Sequence, residues 1–255
     1  MTVRTRIHSL LRSIAVVIAL TAVLRSDGST NPADGNEAEF YFVRLSYSEN
    51  GLRYAGRQGW LTDWPEAEQH LLKGIRRLTR IDTSPEGRYL SIMDKDLFDH
   101  PWIYAVEVGG WSLSPTEAAR LRDYLLRGGF LMVDDFHGTA EWAGFVESMN
   151  RVFPDRTIVD VRPDDPIFHV AYETGERVQI PGIQSLYSGR IYEKDGFVPQ
   201  WRGIYDDQGR LMVMINFNMD LGDAWEHADI PEYSLQYTLL AYKYTINYIL
   251  YAMTH

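Results

Sequence analysis

Gly128-Gly129-Phe130-Leu131-Met132-Val133-Asp134-Asp135-Phe136-His137-Gly138 passes from two glycines through an apolar run into two carboxylates, an imidazole and a third glycine. Glycines stop a helix, and a short apolar run directly after them reads as a strand buried on both faces, as in parallel sheets. Polar groups at the end of such a strand fall on the carboxyl edge of the sheet, where open α/β folds bind their ligands. This stretch therefore sets the fold class and marks the first place to look for a site.

Upstream, Ser114-Pro115-Thr116-Glu117 has the pattern of a capping box with proline in the first turn, so a helix runs from there to Leu126 and ends at the glycines. Residues 89–93 and 101–108 read as strands. Over residues 65–78, Ala67, Leu71, Leu72, Ile75 and Leu78 recur at helical spacing, with Asp63 placed as the N-cap. Residues 40–47 form the first strand of the body, and Ser48-Glu49-Asn50-Gly51 turns the chain. Downstream come a helix from about 141 to 152, closed by Pro154, and a strand over 157–161. Residues 203–205 and 211–217 make a hairpin around Asp206-Asp207-Gln208-Gly209. The last helix spans about 231–253, with Leu235, Leu239, Tyr242, Ile246 and Ile249 as its expected packing face. This alternation implies right-handed crossovers and a three-layer α/β domain, with a mostly parallel twisted sheet, helices on both faces and a β-rich insertion before the last helix.

A chain of 255 residues with 45% apolar and 24% charged residues can bury a full core, and one domain over residues 39–255 is expected. Its 25 Lys and Arg are scattered among 35 Asp and Glu, for a net charge of −10, which argues against nucleic acid as a partner. With no cysteine, disulfides, thiolate metal sites and cysteine nucleophiles are excluded. Arg4, Arg6 and Arg12 precede the apolar residues 14–24. That run makes about 16 Å of helix against a hydrocarbon core of roughly 30 Å, so residues 1–25 read as a signal peptide or short N-terminal anchor rather than a stable transmembrane span. Residues 26–38 follow as a linker, and the body is expected in the periplasm or at the cell envelope. Loss of residues 1–25 removes four arginines and no acid, leaving 21 basic and 35 acidic side chains and a charge of −14. Such a surface favours cations, neutral polyhydroxy ligands or basic partner surfaces.

Three segments carry candidate chemistry. Asp134, Asp135 and His137 can hold a divalent cation or divide acid and base roles; equally, the carboxylates can cap the next helix and bind loop amides. Asn216-Phe217-Asn218-Met219-Asp220-Leu221-Gly222-Asp223-Ala224-Trp225-Glu226-His227 mixes amides, carboxylates and an indole as sugar and metal pockets do, although a plain turn explains it as well and its offsets do not fit a calcium loop. Asn218, Asp220, Trp225 and Glu226 are its candidates. Arg44 and Asp63 lie at or after the first strand, near Trp60 and Trp64. An arginine there can grip a carboxylate or phosphate in fork geometry, or pair with Asp134 or Asp135 and only steady the loops. There is no Gly-x-Ser-x-Gly elbow, phosphate loop, Gly-x-Gly-x-x-Gly turn or His-Glu-x-x-His helix. No metal set and no cofactor is assigned.

Phe42-Val43-Arg44-Leu45-Ser46-Tyr47, Trp60-Leu61-Thr62-Asp63-Trp64-Pro65, the 128–135 stretch, Asn218-Met219-Asp220-Leu221-Gly222-Asp223-Ala224-Trp225-Glu226 and the tyrosine-rich last helix together resemble bacterial exported proteins of domain-of-unknown-function family 4159, over about residues 39–253. The resemblance implies a flavodoxin-like fold of the class I glutamine amidotransferase-like group. The glutaminase step of amidotransferases with that fold uses a cysteine, so glutamine amide transfer is ruled out here. Residues 121–137 are similar to the helix, glycines and strand of trehalose-utilisation-like proteins, which implies a carbohydrate or other small polar ligand. The family's association with von Willebrand-type and membrane-anchored modules implies cell-envelope protein partners. Two functions are expected: a ligand-binding or accessory domain with a polar pocket at the sheet edge, or a carboxylate-based hydrolase, with or without a metal, acting on a carbohydrate or other polar substrate.

Overall fold

Apolar runs four to seven residues long alternate with amphipathic helices along the body, and each becomes one layer element in the computed structural model, which describes residues 38–49 and 58–255. The expected export segment and all but the last residue of the linker lie outside the described residues. In chain order the elements are β1 (Val43–Ser46), β2 (Ser48–Glu49), α1 (Glu66–Leu78), β3 (Arg88–Ser91), β4 (Trp102–Val106), β5 (Trp111–Ser112), α2 (Pro115–Leu126), β6 (Phe130–Asp134), α3 (Gly138–Val152), β7 (Val159–Asp160), a helical turn α4 (Ser185–Ser188), β8 (Gln200–Tyr205), β9 (Leu211–Phe217), the short α5 (Leu221–Glu226) and α6 (Leu235–Thr254).

The main sheet runs β3-β1-β4-β6-β9-β8-β7. Its first five strands are parallel; β8 joins β9 antiparallel, and β7 joins β8 antiparallel. By chain position the parallel strands stand second, first, third, fourth, fifth, one of the two common doubly wound orders, whose winding reverses between β1 and β4. The helices follow the reversal. Leu71, Leu72 and Ile75 of α1 and Ala241, Tyr244 and Tyr248 of α6 pack on Phe42, Trp102, Tyr104, Phe130 and Met132. On the other face, Leu121 and Leu125 of α2 and Phe145 and Met149 of α3 pack on Val43, Leu45, Ile103, Ala105, Leu131 and Val133. The side-chain period of two sends alternate residues of each strand into different layers, which is why these strands are apolar for most of their length.

The two glycines of the signature have separate reasons. Gly128 takes φ 111° as α2 ends, and a Cβ on Gly129 would stand 2.4 Å from the Tyr124 ring, whose hydroxyl donates to the His100 carbonyl at 2.8 Å. The capping box of α2 is present, with the Ser114 side chain accepting from the Glu117 amide and Glu117 from the Ser114 amide.

Several expectations are corrected. α1 begins after Pro65, and the Asp63 side chain caps nothing; its φ of 63° turns the chain instead. α3 starts at Gly138 rather than near Glu141. The hairpin forms where expected, with Tyr205 opposite Leu211, but its strands extend the main sheet, and residues 161–199 contain turns rather than strands. In α6, Ile246 and Ile249 are buried as expected, but Leu235 and Leu239 are 67% and 48% exposed, and Ala241, Tyr244, Thr245 and Tyr248 also face inward. The helix is apolar nearly all round, so spacing alone does not choose its face. Hydrogen bonding helps choose it: Asn247 Oδ1 accepts from the Ala171 and Tyr172 amides at 3.0 and 2.9 Å.

A buried arginine interrupts the apolar run of β1. Arg44, fully buried in β1, pairs with the equally buried Glu68 of α1 and donates to the Trp60 carbonyl at 3.0 Å and to the Thr62 carbonyl. Arg44→Met leaves Glu68 buried and unpaired and is expected to cost about 3–5 kcal/mol, most of it regained in Arg44→Met/Glu68→Leu. Urea denaturation midpoints of the wild type and both variants check this; equal stability of the two variants would contradict it.

Candidate functional site

Three of the central parallel strands end in a left-handed residue that is not glycine. Glu107 follows β4 with φ 55°, Asp135 follows β6 with φ 49°, and Asn218 follows β9 with φ 62°. Asn and Asp enter this region more readily than most side chains, whereas glutamate does so at a cost. The exits are stitched together: the Asp135 amide donates to the Met219 carbonyl at 3.1 Å, the Asn218 amide to Phe136 at 3.1 Å, and the Glu107 amide to Asp135 at 3.1 Å.

Asp134 occupies the last position of β6 and is fully buried. It does cap a helix, but α5 rather than α3. Its Oδ2 accepts from the amides of Leu221 and Gly222 at 2.8 and 3.0 Å and from the Tyr104 hydroxyl at 3.2 Å, while Oδ1 has no hydrogen-bond partner. Burial, reinforced by nearby Asp135, pushes its carboxyl up to about 8 despite those donors. α3 is started by other groups: Asn218 Oδ1 accepts from the Gly138 amide at 2.9 Å, Asp195 from the Thr139 amide at 2.9 Å, and Glu141 from the His137 amide at 2.6 Å.

Once α5 is held, its acids crowd the strand ends. Asp220, the N-cap, accepts from the Asp223 amide at 2.7 Å, and Asp223 accepts from the Ile183 amide at 2.6 Å. Oxygens of Asp63, Asp220 and Asp223 lie within 4.8 Å of one another, as do ligand atoms of Asp223, Glu226 and His227, and of Asp135, His137 and Glu193. Two glycines make the room. A Cβ on Gly222 would meet Asp63 Oδ2 at 2.4 Å, and one on Gly182 would meet Asp220 Oδ2 at 2.6 Å and Asp223 Oδ2 at 2.8 Å.

Protonation divides the cluster. Burial, then the neighbouring Asp223 and Asp135, drives Asp63 well up; burial, then Asp135 and Asp223, does the same to Asp220. Burial also works against the Asp223 charge, but His227, with Nε2 3.3 Å from Asp223 Oδ1, and the Ile183 amide outweigh it and bring Asp223 down. His137 is raised too: burial opposes its charge, and Asp135, 3.0 Å from Nε2, overcomes that. Glu107 is pushed up to about 10 by burial, with Asp135 and Glu141 adding to it.

Of the residues singled out in the sequence, Asp63, Asp134, Asp135, His137, Asp220 and Glu226 come to this one edge. Asn218 is a clasp: its Oδ1 holds the Gly138 amide, and its Nδ2 donates to the Val198 carbonyl at 2.8 Å. Trp225 is fully buried against Phe42 and Tyr104, with no face left for a ligand. Arg44 stands behind the site, engaged by Glu68 and the carbonyls that precede Asp63. Asp223, His227, Glu107 and Glu193 were not among the candidates. Asp223 and His227 are spaced i, i+4 in the stretch already quoted, and Glu107 follows its strand just as Asp135 does, so both signals are present in the sequence; Glu193, in an irregular segment, has none. A cavity of about 380 Å³ lies elsewhere, between α1 and α6, lined by Lys73, Arg77, Leu239 and Tyr242 among others. The site is assigned to the sheet edge because the ionisable groups converge there.

Fold and site define an α/β protein with a doubly wound sheet and a cluster of buried acids at its carboxyl edge. The family model described as Domain of unknown function (DUF4159) matches residues 42–253, and the chain belongs to that family. A search of curated proteins finds no match. Among the described residues, no helix is long and apolar enough to cross a membrane.

The raised carboxyls set a pH dependence. A folded-state value of about 8 for Asp134, against an ordinary 3.8, means that the folded chain keeps a proton the unfolded chain has released. Its contribution is fully present below about pH 4 and is lost as pH rises toward 8. Stability is therefore expected to fall between pH 5 and 9. Asp134→Asn, which keeps an acceptor for the α5 amides but has no carboxyl to ionise, should reduce that fall by an amount on the order of a few kcal/mol. Urea denaturation at pH 5, 7 and 9 measures both; parallel curves for wild type and variant would contradict the assignment.

Proposed function

We propose that this chain is a ligand-binding domain of the bacterial cell envelope, whose acidic sheet edge takes a small polar ligand carrying positive charge or many hydroxyl groups. The observation that carries the reading is the meeting of Asp63, Asp135, His137, Glu193, Asp220, Asp223, Glu226 and His227 from distant segments at the carboxyl ends of β4, β6 and β9. Carboxylates accept from hydroxyls and pair with amines. The approach from solvent is by Glu193, Glu226 and His227, whose side chains are 29%, 24% and 17% exposed. The basic, apolar N-terminal pattern supports export, and the likeness to trehalose-utilisation-like proteins of the amidotransferase-like group supports a carbohydrate among the ligands.

Thermal-shift and calorimetric titration against neutral sugars, amino sugars and polyamines tests this. One class is expected to bind, stabilising the fold by about 2.7 kcal/mol at a hundredfold excess over Kd, with affinity at least about tenfold lower in Glu226→Gln and His227→Ala. A panel without binding, or binding indifferent to both variants, removes the reading.

The hydrogen bond from His137 Nε2 to Asp135 at 3.0 Å, with Glu193 Oε1 3.8 Å from the same nitrogen, favours a second reading, a carboxylate-based hydrolase in which Asp135 orients His137 as acid or base. Turnover of glycosides, sugar esters or phosphoesters that disappears in both Asp135→Ala and His137→Ala would establish it in place of the first.

A further inference from the structure

We propose that Asp63, Asp220 and Asp223 form a site for one hard divalent cation, of the Mg²⁺, Mn²⁺ and Ca²⁺ class, with Glu226 and His227 on its open side. The proposal rests on reading the acidic edge as the binding site and specifies what its carboxylates hold. Oxygens bound to one such ion at about 2.1–2.5 Å can stand no more than about 5 Å apart, and one oxygen from each of the three aspartates satisfies that limit at 4.8 Å. Groups this close can share a single ion.

The cluster is not merely acidic. Asp63 Oδ2 is out of reach of solvent and has no hydrogen-bond partner, and it is directed at Gly222, where a Cβ would stand 2.4 Å from it and 3.5 Å from Asp220 Oδ1. Asp134, fully buried behind Gly222, likewise leaves Oδ1 without a partner. The other two ligands are already aimed: Asp220 through the Asp223 amide, and Asp223 through the Ile183 amide. That is the preorganisation a metal site needs. His227 Nε2, 3.3 Å from Asp223 Oδ1 and 3.5 Å from Glu226 Oε2, extends the donor set on the side where Glu226 and His227 are part-exposed. Three carboxylate ligands without thiolates suit a hard ion and exclude the thiolate sites that copper(I) prefers.

The probe is Mn²⁺, titrated into EDTA-dialysed full-length protein and followed by the loss of the free-ion EPR signal, with Mg²⁺ and Ca²⁺ as competitors. One site is expected, displaced by either competitor and weakened at least about tenfold in Asp63→Asn and in Asp220→Asn. Asparagine serves as an N-cap as well as aspartate does, and circular dichroism confirms folding. Asp155→Asn, an exposed acid paired with Arg122, should bind as the wild type does. No saturable binding, or binding unchanged in both variants, overturns the proposal; so does binding lost in His137→Ala but kept in Asp220→Asn, which moves the ion to Asp135, His137 and Glu193. Mn²⁺ binding with no response from the sugar and amine panel upholds the cation site and removes the binding-domain reading. Panel binding by EDTA-treated protein without any Mn²⁺ site does the reverse.

Discussion

The carboxylate of Asp134 is the interaction on which this edge of the molecule depends. It joins three adjacent strands, standing at the end of β6, accepting from the Tyr104 hydroxyl of β4, and holding the Leu221 and Gly222 amides just beyond β9. A helix of six residues has no stability of its own. α5 exists because its first turn is gripped from the neighbouring strand, its own N-cap closes on Asp223, and His70 of α1 meets the carbonyls of Trp225 and Glu226 at its other end, at 3.0 and 2.9 Å. Everything that α5 carries, Asp220, Asp223, Glu226 and His227, is placed through those contacts.

The same contacts set opposing energies against each other. Hydrogen bonds to a charged group stabilise by about 1.5–3 kcal/mol each, whereas a buried carboxylate loses several kcal/mol of hydration. The balance at Asp134 leaves its carboxyl near neutrality, and crowding then sorts the rest: Asp223, helped by His227, keeps its charge while Asp63 and Asp220 resist theirs. An arrangement chosen for stability alone would replace these acids with apolar groups. Their presence at the carboxyl edge of the sheet fits the usual trade of stability for function.

Legibility in the sequence followed the range of the interactions. The helix stop at Gly128-Gly129, the capping box at Ser114 and the hairpin at residues 206–209 are local, and each stands where the pattern put it. The doubly wound alternation followed from them. Less legible was whatever a distant partner decides. Asp63 looked like an N-cap because it precedes a helix, yet its carboxylate belongs with Asp220 and Asp223, more than 150 residues away in the chain. Spacing found Ile246 and Ile249 on the inward face of α6, but hydrogen bonds to residues 171–174 help set its rotation and leave Leu235 and Leu239 exposed. Trp225 and Arg44 carry residue types that ligands favour, but the aromatic layer and Glu68 claim them first.

Glu107 shows why the strand exits themselves speak for function. Glycine would turn the chain after β4 without strain, and Asn or Asp would do so at small cost, yet a glutamate is held at φ 55° with its carboxyl raised by burial and by Asp135. Backbone strain and a largely buried acid meet at this position, and the nearby Lys194 charge offsets only part of the second cost. The side chain, rather than the turn, is what the position keeps. Asp135 repeats the pattern one strand over, left-handed, buried and hydrogen-bonded to His137. Two neighbouring exits that both place a carboxylate where the chain turns left-handed, one of them at a backbone cost, point to an edge arranged around the acids, with the sheet as the frame that holds them close.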